Sequence, residues 1–241
     1  MEDGGALRYD YLVVALGIET LWDRIRGLEP TLGAHGIYTV YGYEQAEQAW
    51  APIRSFKGGR AIFTAPSTPH KGGGAPLHIF RQAESLWRDT GVRAQMDLFF
   101  TVAAPTGMGD GDDESLEHER GTDDIHMCTG YDLVEVRPEA REAAFSVEKG
   151  QSRSRDVLPY DLLHVVPPMR PPALSEQSGL VYRDGAMKGY MEVHPDSLQH
   201  SRFRSVFGVG DATGIEGVKT GERAREQAVV VGQALADRLG E

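Results

Sequence analysis

The chain is poor in several things that would have settled its class at once. Its 241 residues hold a single cysteine, Cys128, so no internal disulfide framework can organise the fold. Basic charge is outnumbered, 25 Lys and Arg against 36 Asp and Glu, and the resulting net charge of −11 repels nucleic acid and anionic membrane surfaces. No apolar run approaches the ~18 residues needed to cross a bilayer. The opening MEDGGALRYD is acidic and glycine-rich rather than basic and apolar, and does not read as a targeting signal. The expectation is a chain neither exported nor integral to a membrane. With 40% hydrophobic residues it can still bury a sizeable core.

What is there alternates between strand and helix. YDYLVVALG (9–17) reads as a buried strand ending in Gly17, because its aromatic and β-branched residues suit a pleated, two-sided setting. YEQAEQAWAPIRSF (43–56) reads as a helix, and GGRAIFTAPSTP (58–69) as a glycine turn followed by a strand. APLHIFRQAESLWRDTG (75–91) spaces Leu77, Phe80, Leu86 and Trp87 helically and stops at Gly91, and AQMDLFFTVAAP (94–105) reads as the next strand. A βαβ unit of this length implies parallel pairing with a right-handed crossover. Residues 106–130 are acidic and glycine-rich and read as a loop. YDLVEVRP (131–138) and EAAFSVEKG (142–150) make a hairpin, and LPYDLLHVVPPMRPP (158–172) a buried strand stopped by prolines. RFRSVFGVGDATG (202–214) runs as a strand into a Gly-Asp turn, and GERAREQAVVVGQALADRL (221–239) is a helix with early charges and an apolar middle.

That last strand, turn and helix carry the chemistry. A strand ending in Gly208, Gly210 and Asp211 before a helix can offer backbone N–H groups and one carboxylate to a polar chain lying across its C-terminal edge, as a ribityl-phosphate would. The plainer alternative is an aspartate that only caps a turn. Other constellations lead nowhere. GIEGVKT (214–220) lacks the P-loop spacing, and DGDDESLEHE (110–119) misses the calcium-loop register. His118 and His126, like His194 and His200, lack a second ligand pair at metal spacing, so no metal site is expected. His164 reads as a hydrogen-bonded strand histidine rather than an acid–base group, and Trp22, Trp50 and Trp87 as packing residues.

Taken in order, YDYLVVALG, VFGVGDAT and KTGERAREQA resemble flavoprotein reductases that fold two dinucleotide domains from one chain. GGRAIFTAPSTPHKGGGAP, YDLLHVVPPMRPP, LQHSRFRSVFGVGDAT and VKTGERAREQA narrow the resemblance to the eukaryotic-type sulfide:quinone oxidoreductases, a branch of the pyridine nucleotide-disulfide oxidoreductase superfamily. The resemblance covers residues 8 to 240 apart from 106–130. It implies an α/β, Rossmann-like fold: a parallel-sheet FAD/NAD(P)-binding domain over 32–170, with remnants of a second, FAD-binding domain at 1–31 and 171–241. It further implies FAD as cofactor, with Gly17, Gly210, Asp211 and Lys219 as its contacts, sulfide and quinone as partners, and a cytoplasmic or peripheral membrane location.

Three departures qualify this. Where the family's loop reads Pro-Val-Lys-Cys-Ala-Gly-Ala-Pro, this chain has PHKGGGAP, so the sulfur-bearing position is Gly72 and no catalytic residue is assigned. The family's Gly-x-Gly-x-x-Gly pyrophosphate turn has no counterpart, and the prolines of PSTPHKGGGAP remove N–H groups that such a turn needs. The family's second cysteine belongs to a segment beyond Glu241, so the resemblance implies a chain truncated at both ends and incomplete or inactive by itself. The alternative is a non-catalytic nucleotide-binding or protein-interaction module with a partner at an exposed sheet edge.

Overall fold

The computed structural model describes residues 5–105 and 125–240. The calcium-loop candidate and the acidic loop up to residue 124 lie outside the described residues. The chain divides into two units, residues 1–19 with 170–241 and residues 20–169.

The first unit opens with β1 (Leu12–Val14), and β2 (Glu19–Thr20) marks the passage into the second. There, β3 (Ile37–Tyr38), α1 (Tyr43–Ser55), β4 (Gly59–Ala65), α2 (Ala75–Asp89), β5 (Met96–Val102) and β6 (Ile125–Thr129) follow in turn. Then come β7 (Tyr131–Arg137), β8 (Glu142–Lys149), β9 (Ser152–Pro159) and β10 (Leu162–His164). The main sheet has the order β3-β10-β4-β5-β6 and every pairing in it is parallel, as the βαβ reading requires. Its central strands are buried on both faces, so β4 reads as a continuous apolar run rather than an alternating one. Phe63 points to one face, where it packs with Leu77, Phe80 and Trp87 of α2 and Ile53 of α1. Ile62 points to the other, where Leu133, Val136, Phe145 and Val147 of the antiparallel β7-β8-β9 sheet cover it.

Several elements depart from the sequence reading, among them the strand read over 158–172, of which β10 keeps Leu162–His164 while residues 169–170 form a separate two-residue strand. Residues 125–129 are a strand, β6, rather than loop, because they extend the parallel sheet beside β5. β9 was not foreseen: SRSRDVLP shows no apolar alternation, since its residues sit mostly exposed at the sheet's edge and only one side pairs, with β8.

β11 (Met169–Arg170) marks the return to the first unit, which continues with α3 (Ala173–Gln177), β12 (Val206–Gly208) and α4 (Gly221–Leu239). β1 and β12 pair in parallel, Leu12 with Val206, Val13 with Phe207 and Val14 with Gly208. α4 lies against this pair through Val231, which joins Phe207, Val209 and Leu198 in a small core. The helix begins at Thr220, whose hydroxyl accepts the Arg223 N–H, and ends at Gly240 in the left-handed conformation. β1 is less buried than its composition suggests. Leu12 and Val14 are half-buried and Val13 is 42% exposed, because β12 is its only neighbour among the described residues.

Candidate functional site

Parallel pairing puts the ends of β1 and β12 on one edge, and the Val209 N–H donates to the Val14 carbonyl just beyond the register. Gly17 and the Gly210-Asp211 turn therefore leave the same edge of the same two-stranded sheet. Gly17 has φ +66° and open space where a Cβ would stand. Gly210 has φ +73°, which a residue with a Cβ adopts only at a cost, and it opens a single 3-10 turn, Gly210–Ala212. The Thr213 N–H and hydroxyl both donate to the Gly210 carbonyl, at 3.1 and 2.9 Å, closing that turn.

Asp211 is half-buried, and among the described residues no hydrogen bond or ion pair engages its carboxylate. Lys219 is placed differently from a residue that reaches out. It is only 6% exposed, and its ammonium donates to the Thr213 carbonyl at 2.7 Å and the Ile215 carbonyl at 3.2 Å. The ammonium also lies 5.1 Å from the centre of the Tyr190 ring. The Tyr190 hydroxyl is buried without a hydrogen-bond partner, and burial, with the Asp211 charge adding to it, pushes its pKa up to about 12. From α4, the Gln227 side-chain oxygen accepts the Gly210 N–H at 2.7 Å. Tyr190 and Gln227 were not foreseen: one is a lone aromatic in an irregular stretch, the other stands 17 residues from its partner.

The other positions lie in the second unit. Gly72 is exposed at φ +84°, in the turn before α2, and a Cβ there would stand 3.1 Å from that of Ala75. This loop is tied down by Met169, whose N–H donates to Thr68 Oγ1 at 2.9 Å and whose sulfur accepts the Lys71 N–H at 3.4 Å. Cys128, on β6, is half-buried and burial pushes its thiol pKa up, which suppresses the thiolate that would react. His164 differs from the expectation of a hydrogen-bonded histidine. It is fully buried, neither ring nitrogen has a partner, and burial lowers its pKa to about 4. Its surroundings are aromatic and aliphatic, which explains both facts. His200 is the satisfied one. Its Nε2 faces the Leu180 carbonyl at 3.1 Å and its Nδ1 accepts the Arg202 N–H at 3.0 Å.

A parallel sheet between helices and a small antiparallel sheet, with a separate unit holding a Gly-Asp turn at a strand end, is a fold shared with an FAD-dependent pyridine nucleotide-disulphide oxidoreductase from Desulfovibrio vulgaris, at a TM-score of 0.52 and 22% identity over 96% of this chain and 55% of that one. Among solved structures, a chain in the Tetrahymena thermophila mitochondrial ATP synthase matches with a TM-score of 0.77 at 22% identity, covering 97% of this chain and 57% of that one. The sulfide:quinone oxidoreductase of Aquifex aeolicus matches with a TM-score of 0.70 at 19% identity, over 99% of this chain and 57% of that one. No family model matches.

Sequence is more specific than fold. Mitochondrial sulfide:quinone oxidoreductase from Dictyostelium discoideum is 34% identical over 245 residues, 99% of this chain and 52% of that protein. The protein of the same name from Mus musculus is 32% identical over 235 residues, 97% of this chain and 51% of that one. The chain is similar to sulfide:quinone oxidoreductases along nearly its whole length, as its segments suggested, and spans about half the length of the curated relatives it matches. Among the described residues no helix is long and apolar enough to cross a membrane.

Proposed function

We propose that this chain is the flavin-holding part of an FAD-dependent oxidoreductase of the sulfide:quinone type. The observation that carries this reading is the Asp211 carboxylate, which has no hydrogen-bond or ion-pair partner among the described residues and stands on a Gly-Asp turn just beyond the end of β12. A half-buried carboxylate without a partner is costly unless a donor reaches it, and the hydroxyls of a ribityl chain are such donors. The residues fit that part of the cofactor. Gly17 leaves room for it, and Gly210 lets the backbone approach. Bound FAD would supply two-electron transfer, the chemistry that none of these side chains has.

The names of the relatives carry sulfide and quinone as electron donor and acceptor. In this chain the loop that would present sulfur holds Gly72, which can neither carry a persulfide nor act as a thiolate. That residue favours a second reading, a nucleotide-binding module without sulfide chemistry of its own.

Spectroscopy of the purified chain separates the readings. Flavin absorbance retained through gel filtration, or restored by added FAD and weakened by Asp211→Ala, supports the flavin role. A colourless protein that ignores added FAD ends it. Bleaching of the bound flavin by sulfide supports the oxidoreductase, whereas flavin that stays oxidised in sulfide selects the non-catalytic module.

A further inference from the structure

The loop from Gly210 to Ile215 is held from both ends by side chains of the segment that follows it. At its start the Gly210 N–H donates to Gln227 Oε1 at 2.7 Å, reaching across to α4. At its end the Lys219 ammonium binds the Thr213 and Ile215 carbonyls, with the Tyr190 ring beneath it. The Thr213 contacts to the Gly210 carbonyl close the middle. Ala212 and Thr213 are buried and Ile215 packs on the apolar core, but the Gly210 end of the loop has no side chain to pack. The space enclosed by the turn, Lys219 and Gln227 is about 10 Å³, room for about one water, and Gly210 contributes no side chain. Gly210 adopts φ +73° without strain, the hydrogen bonds select that conformation among those open to glycine, and Asp211 is the residue the arrangement leaves unengaged.

We propose that Gln227 and Lys219 are positioning residues: together they clamp the 210–215 loop so that Asp211 alone of that group meets the cofactor. This rests on the flavin reading above for the identity of the ligand, but the clamp itself exists without it. It also gives Lys219 a different task from the direct contact expected of it. Its ammonium is spent on two carbonyls, and its effect on a flavin passes through the loop it fixes.

The test uses the full chain and two measurements. The first is hydrogen exchange of the Gly210 amide without ligand; the second is FAD affinity by fluorescence quenching. Gln227→Met keeps the side-chain length and removes the acceptor. It should speed Gly210 exchange and raise the FAD dissociation constant about fivefold, the worth of one neutral hydrogen bond. Gln227→Glu keeps an acceptor oxygen and should restore slow exchange. Lys219→Met keeps the stem and should weaken FAD about tenfold, while Asp211→Asn should weaken it with Gly210 exchange unchanged. Unchanged exchange in Gln227→Met overturns the clamp, as does faster exchange with FAD affinity untouched. If the parent chain binds no FAD but Gln227→Met still exchanges faster at Gly210, the clamp stands and the flavin reading falls.

Discussion

His164 lies against Phe63 with ring centroids 5.4 Å apart and planes 27° from parallel, and neither imidazole nitrogen has a hydrogen-bond partner. The two residues are neighbours in register on β10 and β4 at the middle of the parallel sheet. With no charged group acting on it, burial alone sets its pKa at about 4, against an ordinary value of 6.5.

The folded chain therefore refuses a proton that the unfolded chain accepts. Stability should be fully present above about pH 6.5, decline as the pH falls from there, and level off below about 4, having lost about 3 kcal/mol. Urea denaturation at pH 7.5 and pH 4.5 measures this, and His164→Leu should shrink the difference by roughly that amount while holding or raising stability at pH 7.5. An unaltered pH dependence in His164→Leu would assign the acid sensitivity to other groups.

Gly72 gives a second expectation, through backbone strain. At φ +84° with Ala75 Cβ 3.1 Å from where its own Cβ would be, Gly72→Ala should cost about 1–2 kcal/mol. Gly72→Asn should cost less, because asparagine tolerates this region better. Gly72→Cys carries the same strain as Ala, yet its thiol should be the faster of two to react with a thiol reagent, since position 72 is exposed and the Cys128 thiol is held protonated by burial. Equal stability of the Gly, Ala and Asn forms in urea would show that the turn relaxes freely.

The parts of the fold that were legible in the sequence are those where one physical cause dominates. β4, α2 and β5 were readable because the helix spaces Leu77, Phe80 and Trp87 along one face while the strands around it are apolar throughout. β9 escaped because an edge strand facing solvent needs no apolar pattern, and SRSRDVLP has the composition of a loop. At the candidate site, Asp211 announced itself by following Gly210 at a strand end. Gln227 did not, because its hydrogen bond to the Gly210 N–H depends on how α4 lies against β12. The sign of the His164 reading failed for a related reason: sequence shows that a histidine is in a strand, but not whether anything faces its nitrogens.

Trp87 tests the joint between the two helices. Its indole Nε1–H donates to the Ile53 carbonyl at 2.8 Å inside the core, while its ring packs edge-on to Phe63. Trp87→Phe retains much of the apolar contact and leaves the carbonyl only the longer bond from the Phe56 N–H at 3.4 Å, which should cost about 1 kcal/mol. Trp87→Ala adds a cavity and should cost about 3–5 kcal/mol. If the two variants unfold at the same urea concentration, the hydrogen bond and not the ring volume carries the joint.

Glu135 is the charged counterpart on the antiparallel sheet. Its carboxylate, 9% exposed, takes Arg26, Arg155 and Arg137, and the Arg26 backbone runs along β7 beside it, with its N–H on the Val134 carbonyl at 3.1 Å. Glu135→Gln preserves the shape and leaves three guanidinium groups facing one another. Because the arginines are 73%, 51% and 42% exposed, water screens each pair, and Arg137 keeps Glu142 at 2.9 Å as a second partner. The loss should therefore be about 1–2 kcal/mol rather than the ~3–5 kcal/mol of a fully buried pair. It should also shrink to less than half near 1 M salt, where the screening length falls to about 3 Å. Denaturation of the parent and variant chains at low and high salt measures both numbers. A loss that does not respond to salt would mean that Glu135 acts through packing and hydrogen-bond geometry, with its charge contributing little.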